Sequence, residues 1–215
     1  MKGTVLLSGG IDSAVTLKKA KDQIKDVNAI HFSYGQQTEE IEKRNSMKLA
    51  EQYDVHLEVV SLEDIFNNFK SGTMLDKNYD SNKTTDKHGQ SVGYVHMRNL
   101  YFLTTAAAIM DQKTRDEEIN LYIGAQKNDK EHYPDCRPKF LKNAQKAINQ
   151  STQKNQFKIK APLIDKTKKQ ILKTAKNLEI PLKNTISCYN PIDNKPCGEC
   201  PACKKRKQAI KEITK

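Results

Sequence analysis

The sequence predicts an α/β fold of the Rossmann-like type, a sandwich in which helices cover a mostly parallel sheet of five strands. Short apolar runs alternate along the chain with amphipathic segments of helical period. Strands that alternate with helices are joined by right-handed crossovers, which make neighbouring strands parallel. Such sheets bind ligands beyond the carboxyl ends of their strands, so polar residues that follow a strand are the first candidates for a site.

Five apolar runs predict the strands, at residues 4–7, 27–32, 55–62, 119–124 and 157–159. Helices are predicted between and after them, from the spacing of apolar residues. They are the segment that begins at Ile11, the segment that carries Ile41 and Leu49, residues 62–69, 95–110 and 138–150, the segment that carries Ile171 and Leu172, and a terminal helix that starts near Lys204. Residues 70–93 are polar, and a loop of that length in a compact domain is commonly a lid. We therefore predict a lid over residues 70–95.

The composition indicates a soluble protein of one medium domain, with 215 residues, 36% hydrophobic and 29% charged. No apolar run approaches the length of a membrane span, and residues 4–7 are too short for the apolar part of a signal peptide. We expect a cytoplasmic protein. The net charge of +11 suggests a nucleic-acid partner, but only five of the 37 basic residues are arginines and the lysines are spread along the chain. We therefore do not expect nucleic acid as a direct partner.

The stretch that follows the first strand is the strongest sign of chemistry. Ser8, Gly9 and Gly10 connect this strand to a helix, which brings free backbone N–H groups and the positive end of the helix dipole to one point. The Ser8 and Ser13 hydroxyls can donate to phosphate oxygens. Asp12 would repel phosphate unless a divalent cation lies between them, so it suggests Mg²⁺. The alternative is an ordinary glycine-rich turn with a Ser or Asp cap.

This stretch resembles the pyrophosphate-binding loop of the N-type ATP pyrophosphatases, which split ATP into AMP and pyrophosphate while they adenylate a substrate. The resemblance implies that the loop binds ATP through the residues that surround its two glycines, namely Leu6, Ser8, Gly9, Gly10, Ile11, Asp12 and Ser13.

Polar residues also follow the second strand and open the fourth helix. Tyr34 and Gln36 are placed to line the same crevice as the Ser-Gly-Gly turn, unless they form a plain surface turn. Arg98 and Asn99 at a helix N-terminus can hold an anion or the edge of a heterocycle, or they tether the preceding loop to the helix.

A rigid polar run, Tyr-Pro-Asp-Cys-Arg-Pro at 133–138, follows the fourth strand. Two prolines fix the backbone around an aromatic ring, a carboxylate, a thiol and a guanidinium, and rigid loops of this kind commonly bind ligands. Cys136 is interpreted as a packing or substrate-contact thiol in preference to a nucleophile. Lys168 lies in the first turn of a helix, where the dipole disfavours a cation. It is better explained if it faces phosphate, although a solvated lysine is the simpler alternative.

Four of the five cysteines lie near the C-terminus with the spacing Cys-x8-Cys-x2-Cys-x2-Cys. Four thiolates at this spacing favour a tetrahedral, structural Zn²⁺ held by Cys188, Cys197, Cys200 and Cys203. An iron–sulfur cluster is the alternative. We predict that residues 184–215 form a zinc-binding segment packed on a single catalytic domain, residues 1–183.

Taken together, the motifs resemble those of the 7-cyano-7-deazaguanine synthase family, which makes the nitrile precursor of queuosine. The matching motifs span nearly the whole chain: Leu-Ser-Gly-Gly-Ile-Asp-Ser (7–13), Tyr-Gly-Gln (34–36), Arg-Asn-Leu (98–100), Gly-x3-Asn-Asp (124–129), Tyr-Pro-Asp-Cys-Arg-Pro (133–138), Ala-Pro-Leu-Ile (161–164), Thr-Lys (167–168) and the cysteine cluster. The chain departs from the family pattern at His96, where a proline is usual, and at Gln170, where a glutamate is usual.

The resemblance implies an ATP-dependent ligase that converts 7-carboxy-7-deazaguanine and ammonia to 7-cyano-7-deazaguanine. It implies Mg²⁺ with ATP near Asp12, Lys168 at the phosphates, and Arg98 or Arg137 for the substrate carboxylate. Substrate contacts are expected from Tyr34, Gln36, Asn99, Asn128, Asp129, Tyr133 and Asp135. A homodimer without a membrane partner is also implied.

Two other functions remain open at the level of sequence. One is another ATP pyrophosphatase, such as a tRNA thiolase or an amide synthetase; a thiolase would use Cys136 as sulfur carrier. The other is a non-enzymatic zinc-ribbon protein that binds RNA, which predicts salt-sensitive RNA binding without nucleotide turnover.

Overall fold

The computed structural model describes residues 1–69, 75, 93–115, 117–153, 155–188, 190–192 and 195–214. The predicted lid at 70–95 lies outside these ranges apart from Leu75 and residues 93–95. In the described part of the chain, no helix is long and apolar enough to cross a membrane.

A five-stranded parallel sheet forms the centre of the molecule, as the sequence predicts. The strands are β1 (Lys2–Leu6), β2 (Val27–Ser33), β3 (Leu57–Ser61), β4 (Glu118–Tyr122) and β5 (Gln156–Lys160). Their order across the sheet is β3-β2-β1-β4-β5, and every neighbouring pair is parallel. The chain winds outwards from β1 in both directions, so the loops after β1 and β4 lie side by side at one edge.

Eight helices are described. They are α1 (Ile11–Gln23), α2 (Glu39–Gln52), α3 (Glu63–Phe66), α4 (Arg98–Lys113), α5 (Lys127–His132), α6 (Pro138–Ser151), α7 (Lys168–Asn177) and α8 (Pro201–Thr214). Single 3₁₀ turns lie at Asn67–Phe69, Pro134–Cys136 and Leu182–Asn184.

The sheet has an apolar core on each face because its strands alternate their side chains. Val5 and Leu7 face a core formed with α1, α2 and α7, whereas Leu6 faces the opposite core, formed with α3, α4 and α6. Both faces are therefore covered by helices, which is the usual environment of a parallel sheet.

The C-terminal segment packs on the preceding part of the chain and contributes to the same core. Ala209 of α8 belongs to the cluster under α1 and α7, and Ile186 forms a parallel bridge with Gly10. The backbone N–H of Ile186 donates to the Gly9 carbonyl at 3.0 Å. The segment that leads to the cysteines is thus joined to the loop after β1.

Several boundaries differ from the sequence prediction, and one helix was not predicted. β3 begins at Leu57, two residues late, because Asp54 takes a left-handed turn with φ of 48° and the chain aligns with β2 only after it. The sequence does not predict α5, which is short and begins with a capping box of Gln126 and Asp129. α8 begins at Pro201, so Cys203 lies in its first turn.

Candidate functional site

A cavity of about 1030 Å³ lies at the carboxyl ends of β1, β2 and β4. Its walls include the loop between β1 and α1, the N-terminal ends of α4 and α7, and part of the C-terminal segment. Most of the predicted site residues line it: Leu6, Ser8, Gly10, Ile11, Asp12, Ser13, Tyr34, Arg98, Asn99, Asn128, Asp129, Tyr133 and Lys168.

The loop between β1 and α1 is held in shape by its own hydroxyl groups. The Ser13 hydroxyl donates to the Gly10 carbonyl at 2.9 Å, and the Ser8 backbone N–H donates to the Ser13 oxygen at 3.2 Å. Gly10 is the N-cap of α1 and has no side chain to cover the first-turn N–H groups, which lack partners within the helix. These N–H groups and the helix dipole make the start of α1 suitable for an anion.

Gly9 is required by both conformation and space. Its φ is +72°, and a Cβ atom there would lie 2.5 Å from the Glu42 carbonyl oxygen. Gly124 in turn lets the loop after β4 approach α1, since its Cβ would lie 3.2 Å from the backbone of Asp12 and Ser13. The two glycines allow α2 and β4 to close around the loop.

Replacing Gly9 with alanine is expected to lower the free energy of unfolding by about 2–4 kcal/mol, from left-handed strain and overpacking together. The matched control is Gly10→Ala. Gly10 is extended, with φ of −83°, and its nearest non-adjacent atoms lie at an ordinary 3.4 Å. Urea unfolding of both variants measures the difference. Equal losses would contradict the role of Gly9.

Asp12 and Lys168 form an ion pair across the cavity. The Lys168 Nζ lies 2.8 Å and 2.6 Å from the two carboxylate oxygens of Asp12. Thr167 caps α7 in a capping box with Gln170, and this fixes the backbone at Lys168. A cation in the first turn of a helix is unfavourable because of the helix dipole. The position of Lys168 is therefore explained by the Asp12 carboxylate that it faces.

A second carboxylate lies near Asp12. Burial raises the pKa of Asp129, and the Asp12 carboxylate raises it further. Asp129 also accepts a hydrogen bond from the Gln126 backbone N–H at 3.1 Å, which closes the turn before α5. Two carboxylates and one ammonium thus stand on the cavity wall near the loop between β1 and α1.

Gln36 is a buried structural residue in this arrangement. Its side-chain oxygen accepts from the Tyr34 N–H at 2.8 Å, and its amide group donates to the Phe32 carbonyl and to Glu42. It does not line the cavity. Its side chain shapes the turn after β2, and its hydrogen bonds account for its burial without a substrate.

Tyr34 is also largely buried, with 6% exposure, and its ring packs against Phe66 and Phe102 at centroid distances of 5.4 Å and 5.3 Å. Arg98 lies beside it, 3.5 Å from the phenol oxygen. The more open aromatic surface is formed by Tyr133 and Tyr94, whose rings are nearly parallel at 11° with centroids 6.4 Å apart.

Asn99 and Asp135 hold α4 against the run at 133–138. The Asp135 carboxylate accepts from the Asn99 backbone N–H at 3.0 Å, and the Asn99 amide donates to the Asp135 carbonyl and the Cys136 sulfur. This network leaves Arg98 on the cavity wall.

Arg137 lies outside the cavity. Its side chain is exposed, and its Nε donates to the Lys130 carbonyl at 3.3 Å. Of the two arginines predicted to bind the substrate carboxylate, Arg98 lines the cavity and Arg137 does not.

The four C-terminal cysteines converge on one point. Their sulfur atoms all lie within 4.8 Å of one another, and those of Cys188 and Cys197 are 3.5 Å apart. A tetrahedral zinc with bonds of about 2.3 Å holds its sulfurs about 3.8 Å apart, so the donor set and its spacing fit this ion. Cys188 also lines the cavity. The cysteine cluster therefore borders the cavity.

Known proteins resemble this chain over nearly its whole length. The family model described as queuosine biosynthesis protein QueC matches residues 2–214. The chain belongs to the QueC family. A 7-cyano-7-deazaguanine synthase from Nitratiruptor is 37% identical over 207 residues, covering 96% of this chain and 92% of that protein. Its counterpart in Aquifex aeolicus is 35% identical over 216 residues, covering 97% and 96%.

Solved structures share the fold of this QueC family member at low identity. NMN synthetase from Francisella tularensis aligns with a TM-score of 0.51 and 14% identity, over 92% of this chain and 71% of that one. The U34-tRNA thiolase of Methanococcus maripaludis, solved with its [4Fe-4S] cluster, aligns with a TM-score of 0.50 and 17% identity, over 99% and 67%. Both support the Rossmann-like architecture.

Sequence reasoning did not assign several residues that line the cavity of this QueC family member, among them Glu42, Tyr94, Lys205 and Arg206. Tyr94 falls at the end of the polar loop, and Glu42 lies within an amphipathic helix, where charged residues are expected to face solvent. Lys205 and Arg206 belong to a basic run that looks like a solvated helix. None of these positions carries a local pattern that distinguishes it from surface.

Proposed function

We propose that the chain converts 7-carboxy-7-deazaguanine and ammonia to 7-cyano-7-deazaguanine at the expense of ATP, in queuosine biosynthesis. The observation that carries the proposal is the Ser-Gly-Gly-Ile-Asp-Ser loop, with Asp12 paired to Lys168, on one wall of a cavity large enough for a nucleotide and a second ring. Membership of the QueC family supports the choice of substrates.

The chemistry overcomes the poor reactivity of a carboxylate. A carboxylate oxygen attacks the α-phosphorus of ATP and pyrophosphate leaves, which gives an acyl adenylate. Ammonia then attacks the acyl carbon and AMP leaves with its oxygen, so the product is an amide. A second adenylation, on the amide oxygen, lets that oxygen leave as AMP while the nitrogen loses its protons, and the nitrile remains.

Each adenylation brings anions together, so the site must concentrate positive charge. The N–H groups at the start of α1 and the Ser8 and Ser13 hydroxyls are placed to bind phosphate oxygens. When ATP enters, the Lys168 ammonium is placed to leave Asp12 and form an ion pair with the phosphates instead. Asp12 and Asp129, as neighbouring carboxylates, have the oxygen ligands that Mg²⁺ prefers, and this ion would neutralise phosphate charge.

The acid substrate is assigned to the wall formed by α4 and the run at 133–138. Arg98 is the arginine on that wall that can pair with its carboxylate in two parallel hydrogen bonds. Tyr133, with Tyr94 beside it, offers a flat surface for the deazaguanine ring. Asn128 and Asp129 also line the cavity, and we assign the polar edge of the ring to their side chains.

The sulfur-transfer alternative is less well supported because Cys136 is a poor nucleophile here. Burial raises the pKa of its thiol to about 12, and Asp129 and Asp135 act in the same direction. At neutral pH the group is a thiol, whereas sulfur transfer needs a thiolate.

We assign the four-cysteine site to a structural zinc, since all four ligand positions are supplied by the chain. We also propose a homodimer that works in the cytoplasm. All five cysteines are free of disulfides, which is consistent with a reducing compartment.

The test is product analysis. The full chain is incubated with ATP, Mg²⁺, ammonium and 7-carboxy-7-deazaguanine, and we expect AMP, pyrophosphate and the cyano product, all dependent on the acid. Omitting ammonium should abolish the cyano product. AMP release that requires tRNA instead of the deazapurine acid would support the thiolase alternative, and no AMP release under either condition would refute the proposal.

A further inference from the structure

Lys205 is a lysine on the cavity wall that the motifs of the family do not include. It lies in the second turn of α8, two residues after the last cysteine ligand, and it lines the same cavity as Ser8, Asp12 and Lys168. Its side chain is exposed, and its ammonium makes no hydrogen bond or ion pair with any residue that the structure describes. Lys168, the other lysine on the described wall of the cavity, is paired with Asp12.

The backbone segment before α8 is bonded to the loop between β1 and α1, and this brings the helix close to that loop. Ile186 bridges to Gly10 and donates its N–H to the Gly9 carbonyl at 3.0 Å. Ser187 and Cys188, the next residues, line the cavity. The segment that enters the metal site is therefore bonded directly to the turn that is placed to bind phosphate.

Arg206, the neighbour of Lys205, ties α8 to the same segment. Its guanidinium donates to the Ser187 hydroxyl at 3.2 Å, to the Leu182 carbonyl at 2.7 Å and to the Thr185 hydroxyl at 2.8 Å. Burial lowers the pKa of Arg206, while Cys203 and Asp12 oppose that shift. Arg206 lines the same cavity as Asp12, and its three hydrogen bonds hold the second turn of α8 against residues 182–187.

We propose that the Lys205 ammonium binds the β- and γ-phosphates of ATP and stays paired with them when they are released from the α-phosphate as pyrophosphate. This inference rests on the proposed function, because it places the β- and γ-phosphates of ATP at the loop between β1 and α1. In this arrangement Arg206 acts as a positioning residue, and Lys205 supplies the free cation. The C-terminal segment then contributes to nucleotide binding in addition to holding its metal.

The experiment titrates pyrophosphate into the full-length, metal-loaded protein by calorimetry. For Lys205→Met we expect binding about tenfold weaker, the low end of what a hydrogen bond to a charged group contributes. Binding of AMP, which lacks these phosphates, should change less than twofold. Lys205→Arg should restore most of the affinity because it keeps the positive charge.

Lys207→Met is the matched control, because Lys207 lies on the same helix, is exposed and does not line the cavity. It should bind pyrophosphate as the unaltered protein does, and metal content should be equal in all variants. Unchanged binding by Lys205→Met, an equal loss in Lys207→Met, or no binding of pyrophosphate by the unaltered protein would each overturn the inference. The titration needs no turnover, so failure of the proposed reaction appears separately, as absence of the cyano product.

Discussion

Replacing Lys168 with methionine is expected to lower kcat/KM about a thousandfold, the effect of removing a preorganised charge from a site where anions react. Lys168 is the ammonium that contacts both oxygens of Asp12, at 2.8 Å and 2.6 Å, and it stands at the phosphate loop. Without it, Asp12 loses its counter-ion and the phosphates lose a cation during each adenylation. Initial rates of AMP formation with varied ATP measure the effect.

The control is the adjacent substitution, Lys169→Met. Lys169 points away to Glu212 of α8 at 2.9 Å, and its side chain is 63% exposed. Exposed ion pairs contribute little to stability, about 0–1 kcal/mol, so this variant should keep its rate within about twofold. Melting temperatures of both variants exclude misfolding as the cause. If Lys168→Met retained its rate, or if both variants lost it equally, the assigned role of Lys168 would be wrong.

Replacing Cys200 with serine is expected to abolish metal binding and to lower the melting temperature by roughly 10 °C. This estimate takes a loss of about 4 kcal/mol for a structural metal and about 2–4 °C per kcal/mol for a chain of this size. Cys200 is 1% exposed and its sulfur lies within 4.8 Å of the other three. Without the metal, Cys197, Cys200 and Cys203 lose their link to Cys188, and the start of α8 loses that support.

Cys136→Ser is the matched control, since Cys136 is also buried, at 4% exposure, but lies outside the cluster. It should keep its metal and melt within a few degrees of the unaltered protein. Elemental analysis of the unaltered protein should give one zinc per chain and no visible absorption. Iron and a coloured protein would show a cluster instead, and a Cys200→Ser variant that retained full metal content would contradict the four-cysteine site.

Much of the fold could be predicted because its signals are local. The apolar run 4–7 and the helical spacing from Ile11 each depend on neighbours within one or two turns. The short helix α5 was missed because a six-residue segment with no buried side chain leaves no periodic pattern. It forms through its capping box and the contacts of the loop after β4.

The amino-acid sequence by itself determined the parts of the site that lie within one short segment. The Ser-Gly-Gly-Ile-Asp-Ser loop and the spacing of Cys197, Cys200 and Cys203 each specify their geometry over a few residues, because a helix N-terminus and a chelate are both local structures.

Only the tertiary structure decided which distant groups meet. It paired Asp12 with Lys168, which are 156 residues apart, it turned Arg98 rather than Arg137 to the cavity, and it placed Lys205 on the wall of the same cavity. These outcomes depend on how α4, α7 and α8 pack. Their packing is driven by burial of apolar surface, and this force is non-directional, so a local stretch of sequence does not specify which helices will meet. The position of a charged side chain relative to the site is therefore a consequence of the whole core.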